Sequence, residues 1–233
     1  MKTLAIDTSN FVMGVAILDD QEVIGEIVTN IKKNHSIRVM PAIQSLMKEC
    51  GIQPLQLERI VVAQGPGSYT GVRIGVTIAK TLAWTLNIPL VGVSSLEALA
   101  VNGRYFNGYI SPLFDARRGQ IYTGLYEYQN GKLKNIIQDR LVINDEWVNQ
   151  LKEYEKPILF IGNDVHLHQE LLSEGLGSCA IFSSITQLNP RPSELGFIGM
   201  NKQPVKDVHT FVPNYIRIAE AEANWLAAQK PKN

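Results

Sequence analysis

Cysteine is scarce. Cys50 and Cys179 are the only two in 233 residues, far apart and in no Cys-x-x-Cys pair. That excludes a disulfide-dense scaffold and a cysteine-rich zinc module, and it suits a reducing compartment. Long apolar runs are lacking too. No stretch approaches 18 uncharged apolar residues, and MKTLAID meets Asp7 after too few apolar residues for a signal-peptide core. A cytoplasmic chain with no membrane anchor is expected. Neither sign of charge is in excess: 22 Lys and Arg balance 22 Asp and Glu, and the first 105 residues carry nine against eight. Neither half could hold a polyanion unaided, so a nucleic-acid substrate would need a partner to grip it. Nucleophilic and metal chemistry find no constellation either. There is no GxSxG elbow, and neither cysteine has a histidine nearby in sequence. His166 and His168, two apart, would point roughly 200° from one another on a helix. His35 and His209 lack a ligand-type residue at i+3 or i+4, so all four histidines are expected to be solvated or capping.

What is present is an ordinary globular composition, 45% hydrophobic, enough for one large domain or two small ones. TLAIDTS (3–9), VMGVAILDD (12–20) and EVIGEIV (22–28) are short β-branched runs separated by turn residues, which predicts a three-strand meander. Residues 36–49 repeat apolar positions at helical spacing, with Pro41 kinking the helix or marking its first regular turn. RIVVAQ (59–64) reads as a strand buried on both faces, a helix from about Val72 to Leu86 follows, then the strand PLVGVSS and a helix beginning near Ser95. The order βββαβαβα is the wiring of a ribonuclease-H-like domain. It recurs in YISPLFDA (109–116), QIYTGLYEY (120–128), KLKNIIQDRLV (132–142), a helix over 145–152, KPILFIGND as strand, turn and helix, and SCAIFSS as a buried strand. Two related α/β domains are therefore expected, at 1–105 and 106–233, with a last helix packing back on the first domain. In the proline-interrupted stretch 185–212 only a helix over about 192–200 is assigned.

The stretch GPGSYTGVRIG (65–75) is the strongest local signal. Gly65, Gly67 and Gly71 suit tight turns, Ser68 and Thr70 offer hydroxyls, and the next helix presents free N–H groups, so an anion could sit there, with Arg73 beside it. The pattern lacks the Walker lysine and the GxGxxG spacing, which favours a plain turn and helix entry. Asp7, ending the first strand ahead of Thr8 and Ser9, could meet a phosphate or a metal-bound water, or cap its own turn. The helix surfaces also point outward. Apolar residues of 37–47 span roughly 220° of a helical wheel, and the helix after the loop leaves only a narrow polar strip near Arg73, Thr77 and Lys80. Either the two helices cover each other or they offer a face to another subunit. The candidates for that face are Ile37, Met40, Ile43, Met47, Val72, Gly75, Ile78, Ala79 and Leu82.

On IDTSNFVMGVAILD, GPGSYTGVRIGVTIAKTLA, IPLVGVSSLEALA, DARRGQIYTGLY and the late VPNYIR (212–217), the chain resembles the TsaB family, also called YeaZ. The resemblance implies two ribonuclease-H-like domains of the actin-like, sugar-kinase and Hsp70 ATPase superfamily. It also implies a cytosolic, non-catalytic subunit needed for threonylcarbamoyladenosine on tRNA. In that pathway the paralogue TsaD carries out the transfer, the ATPase TsaE joins the pair, and tRNA is met through the complex. Set against TsaD, its HxxxH metal pair falls on Ser95 and Leu99, its second-domain phosphate loop on Asp115, Ala116, Arg117, Arg118 and Gly119, and its adenosine motif on Gly162. The resemblance thus implies no metal and no cofactor of the chain's own, a nucleotide bordering the partner interface remaining open. It implies a heterodimer with TsaD and a homodimer when alone. Two other readings stand beside it. One is a stand-alone ATP-binding or ATP-hydrolysing protein using Asp7, Ser9 and the loop Gly65, Gly67, Ser68, Gly71 and Arg73. The other is a peptidase, drawn from an older glycoprotease label, for which no catalytic set assembles.

Overall fold

The computed structural model describes residues 1–216. The expected final helix and Arg217 of the VPNYIR motif lie outside the described residues. The first sheet starts with the expected meander, β1 (Lys2–Asp7), β2 (Val12–Asp19) and β3 (Glu22–Asn30), paired antiparallel. β4 (Arg59–Ala63) and β5 (Leu90–Val93) then add in parallel, giving the order β3-β2-β1-β4-β5. The second sheet repeats the scheme with β6 (Tyr109–Asp115), β7 (Gln120–Gln129), β8 (Lys132–Ile143), β9 (Ile158–Ile161) and β10 (Ala180–Phe182), in the order β10-β9-β6-β7-β8. SCAIFSS is not a buried strand, however. β10 is a three-residue edge strand with Ile181 37% exposed, because it pairs only with β9.

Helices cover both faces of each sheet. α1 (Val39–Glu49), preceded by a 3-10 turn at His35–Ile37, and α2 (Tyr69–Leu86) lie on one face of the first sheet. Their residues Val39, Ile43, Leu46, Met47, Val72, Val76 and Ala79 share a core with Leu4, Ile6, Val15, Ile60 and Val62. Pro41 falls in the first turn of α1, where its missing N–H removes no helical bond. α2 begins three residues before the expected Val72, because Ser68 caps it: its Oγ accepts from the Gly71 N–H at 3.3 Å. In the second half, α4 (Asn144–Leu151) and α5 (Gln169–Leu176) bury Trp147, Val148, Leu151 and Leu172 against Leu113, Ile121 and Phe160.

The remaining two α-helices among the described residues lie between the sheets. α6 (Pro192–Met200) comes late in the chain but packs on the opposite face of the first sheet, with Leu195 against Ala5, Leu18 and Val61. α3 (Ser95–Ala100) comes early but packs Leu96, Leu99 and Ala100 against Ile110, Phe114, Tyr126 and Ile161 of the second sheet. Each half thus lends a helix to the space between the sheets, where ion pairs Arg104–Glu194 and Lys202–Glu97 link the two lent segments. The stretch after α6, which sequence patterns leave unassigned, runs back along the first half. Val205 N–H donates to the Leu90 carbonyl at 2.9 Å and Asn214 N–H to the Gln64 carbonyl at 2.7 Å. Lys80 Nζ on α2 donates to the carbonyls of His209 and Phe211 at 2.8 and 2.7 Å.

Candidate functional site

Asp7, the last residue of β1, is 3% exposed. Its Oδ1 accepts from the Ser9 N–H at 2.8 Å and from the Ser9 hydroxyl at 2.7 Å, so the acid caps its own turn. Its Oδ2 is buried with no hydrogen-bond partner. Burial pushes the Asp7 carboxyl above the usual carboxylate range, opposed by the two Ser9 bonds and by nearby His35. His35, expected to be solvated or capping, is half-buried: its Nε2 bonds the Asn10 carbonyl at 2.7 Å, and its Nδ1 is buried and unpartnered.

The glycine loop meets this turn backbone to backbone. Ser68 N–H donates to the Ser9 carbonyl at 2.7 Å, and Thr8 Oγ1 donates to the Gly71 carbonyl at 2.7 Å. A Cβ on Gly67 would overlap the Ser9 carbonyl oxygen, and one on Gly71 would overlap that of Thr8. These two positions therefore require glycine because strand exit and helix entry touch, whatever else the loop binds. Gly75, one turn on, is buried beside the Thr8 hydroxyl. Gly65 is pinned from another side: its N–H donates to Ser95 Oγ and its carbonyl accepts from the Ser95 N–H, both at 3.1 Å. The N–H groups of Gly65, Ser68, Gly71 and Val72 all find acceptors within the chain. Arg73 is exposed and engaged with Tyr69, donating to its hydroxyl at 2.7 Å with the guanidinium 4.8 Å from the ring centroid.

The positions set against TsaD's ligands are occupied by structural residues. Ser95 holds Gly65, and Leu99 is fully buried in the apolar cluster between α3 and the second sheet. Arg117 and Arg118 stand exposed at the tip between β6 and β7, both at positive φ (65° and 56°), while Ala116 is buried. At the foot of that tip lies a cluster that sequence spacing does not show. His168, only 10% exposed, pairs through Nε2 with Asp115 at 3.1 Å and through Nδ1 with the Asn144 amide at 3.0 Å. Asp164 accepts from the Asp115 N–H at 3.0 Å. The reading of His168 as solvated is thus overturned: it stands at the N-cap of α5 but its ring makes no capping bond, and its partners come from two other elements, β6 and α4.

The expected apolar face divides. Ile43, Met47, Val72, Gly75 and Ala79 are buried against the first sheet and cannot meet a partner. Ile78 and Leu82 are half-buried at the edge of that core, while Ile37 (70%) and Met40 (44%) are exposed. Phe11, in the β1–β2 turn whose Asn10 carbonyl holds His35, is 59% exposed, and Ile31, just ahead of the 3-10 turn, is 43% exposed. The outward strip of α2 is Arg73, Thr77, Thr81 and Trp84, with Lys80 partly covered by residues 209–211.

A family model described as "TsaD: tRNA N6-adenosine threonylcarbamoyltransferase" matches residues 22–225. A Bacillus subtilis (strain 168) protein named tRNA threonylcarbamoyladenosine biosynthesis protein TsaB is 55% identical over 230 residues, covering 99% of this chain and 100% of the relative. Among solved structures, a Pseudomonas aeruginosa protein described as similar to peptidase YEAZ superposes with a TM-score of 0.79 at 24% identity, over 93% of this chain and 99% of that one. A ROK hexokinase from Thermus thermophilus superposes with a TM-score of 0.50 at 10% identity, over 86% and 98% of the two chains. These two likenesses are of fold alone, and they agree with the α/β fold expected from the strand order.

Proposed function

Since the chain belongs to the TsaB family of tRNA threonylcarbamoyladenosine biosynthesis proteins, we propose that it acts there as a non-catalytic subunit. In this reading it pairs with the TsaD-type transferase and supports transfer to the adenosine beside the tRNA anticodon. TsaE is recruited to the pair, tRNA is met through the complex, the free chain pairs with itself, and all of this takes place in the cytoplasm. The observation that carries the reading is the state of the glycine loop. Its amides at Gly65, Ser68 and Gly71 and its two tightest glycines are committed to Ser95, Ser68 Oγ and the Thr8–Ser9 turn. A phosphate bound at those three amides would have to displace the chain's own acceptors. What the loop does instead is fix the start of α2, and the exposed residues Phe11, Ile31, Ile37 and Met40 offer apolar side chains suited to the centre of a subunit interface.

The test is direct. Ile37→Asp and Met40→Glu place charges at exposed positions, so the fold should survive, and calorimetric affinity for TsaD should fall at least about tenfold. Leu55→Glu, at a site 89% exposed in the 3-10 turn Pro54–Gln56 that follows α1, is the control and should change nothing. Unchanged affinity in folded Ile37 and Met40 variants would remove this surface from the interface.

One observation favours a second reading, ATP binding by the chain itself. Asp7 Oδ2 is buried and unpartnered, an acceptor that a metal-bound water would satisfy. Magnesium-dependent ATP binding by the isolated chain, abolished by Asp7→Asn, would support that reading over the first. No specific observation favours the peptidase.

A further inference from the structure

The pairing of β7 with β8 is irregular at two neighbouring points, and the first concerns Gly124. Thr123 faces Arg140 and Leu125 faces Ile137, so the single residue Gly124 stands opposite two, Gln138 and Asp139. Such a bulge re-aims the side chain of the longer strand. Here it turns Asp139 out of the ladder, past Gly124, towards the space between the sheets. Its Oδ1 accepts from the Tyr126 hydroxyl and its Oδ2 from the Ser94 hydroxyl. Ser94 is the N-cap of α3, where its Oγ accepts from the N–H groups of Leu96 and Glu97, both at 3.2 Å. The next residue is Ser95, which holds Gly65 by the two 3.1 Å bonds already described. Beside the carboxylate a cavity of about 280 Å³ opens, lined by Glu97, Asn135, Gln138 and Lys202.

We infer that Asp139 is a latch tying the second sheet to the start of α3 and, through the Ser94–Ser95 pair, to the glycine loop, so that the second half of the chain sets the order of the α2 N-terminus. The path runs through single hydroxyl contacts from Tyr126 to Asp139 and from Ser94 to Asp139, then along the backbone to Ser95, then through two hydrogen bonds to Gly65. The pieces are held on either side by rigid elements, β8 and α2. Burial pushes the Asp139 carboxyl up, opposed by the two hydroxyls, and holds the Tyr126 phenol well above its ordinary range, so the tyrosine stays a donor. The inference does not depend on the identity of the partner.

Hydrogen–deuterium exchange on the intact chain tests it, comparing Asp139→Asn and Tyr126→Phe with the unaltered protein. Tyr126→Phe removes one hydroxyl and leaves the apolar packing, which keeps the test usable if the aspartate variant folds poorly. Peptides covering residues 65–75 should exchange about fivefold faster in both variants, while those covering 144–151 stay unchanged. Acceleration confined to β7, β8 and α3 would overturn the latch. Equal acceleration over 144–151 would report general loosening and overturn it as well.

Discussion

Gly71→Ala sets two effects of opposite sign against each other. Gly71 is in the first turn of α2, and alanine in a helix is favoured over glycine by about 1 kcal/mol. The added methyl, however, meets the Thr8 carbonyl oxygen. That atom is backbone and cannot rotate away, so strand exit and helix entry must separate, at a cost of about 1–3 kcal/mol for overpacking. Separation also stretches two hydrogen bonds, Thr8 Oγ1 to the Gly71 carbonyl and the Ser68 N–H to the Ser9 carbonyl, both 2.7 Å. Each contributes about 1 kcal/mol. The net expectation is a loss of about 2–4 kcal/mol, large for a single methyl group. Urea unfolding should show the midpoint falling by about 1–2 M at unchanged slope, with a slope of roughly 2 kcal/mol per M. A variant as stable as the parent, or more stable by the propensity gain alone, would refute the packing argument and return the loop to the phosphate reading.

Other expectations follow from the same structure. The Asp7 carboxyl is raised by burial, so the folded chain holds its proton more tightly than the unfolded chain. That contribution is fully present below the ordinary carboxylate range and lost as pH rises through the raised value, so Asp7→Asn should gain stability relative to the parent as melts move from roughly pH 4 to 8. The opposite trend would contradict the orphaned Oδ2. Arg59 Nη1 donates to the carbonyls of Gly199 and Met200, at 3.1 and 2.9 Å, closing the end of α6. Arg59→Met should cost about 1.5–3 kcal/mol and speed amide exchange over 195–202; an unaffected α6 would count against it. Trp147 is fully buried, and its Nε1–H donates to Ser111 Oγ at 3.2 Å. Trp147→Phe should cost about 2–4 kcal/mol in chemical unfolding, from the cavity and the lost bond together, and a loss below that range would mean the site collapses around the smaller ring.

Much of the fold was legible because its signals are local and periodic. The meander β1–β3 alternates with turn residues, β4 is a continuous apolar run, and α6 was expected over 192–200, where it lies. β10 was misjudged because SCAIFSS is as apolar as a core strand, while its edge position depends on pairing that composition does not encode. The apolar face was over-counted for a related reason: a helical wheel measures angular spread, not depth, and Ile43, Met47, Val72 and Ala79 are consumed by the sheet beneath. The glycines were visible, but their reason was not, since Thr8 and Ser9 lie some 60 residues away and only the fold brings their carbonyls against Gly67 and Gly71. His168 and Asp139 were missed on the same ground. Each acts through partners on other elements, and the bulge that aims Asp139 leaves no mark beyond Gly124.

The central claim is that this chain works as a partner subunit through the surface around Phe11, Ile37 and Met40. Light scattering after size exclusion, on the chain alone and mixed with TsaD from the same organism, with and without ATP, tests it most directly. The account predicts a one-to-one complex that forms at the expense of any homodimer and weakens with Met40→Glu. Masses that never change on mixing, with or without ATP, would contradict it.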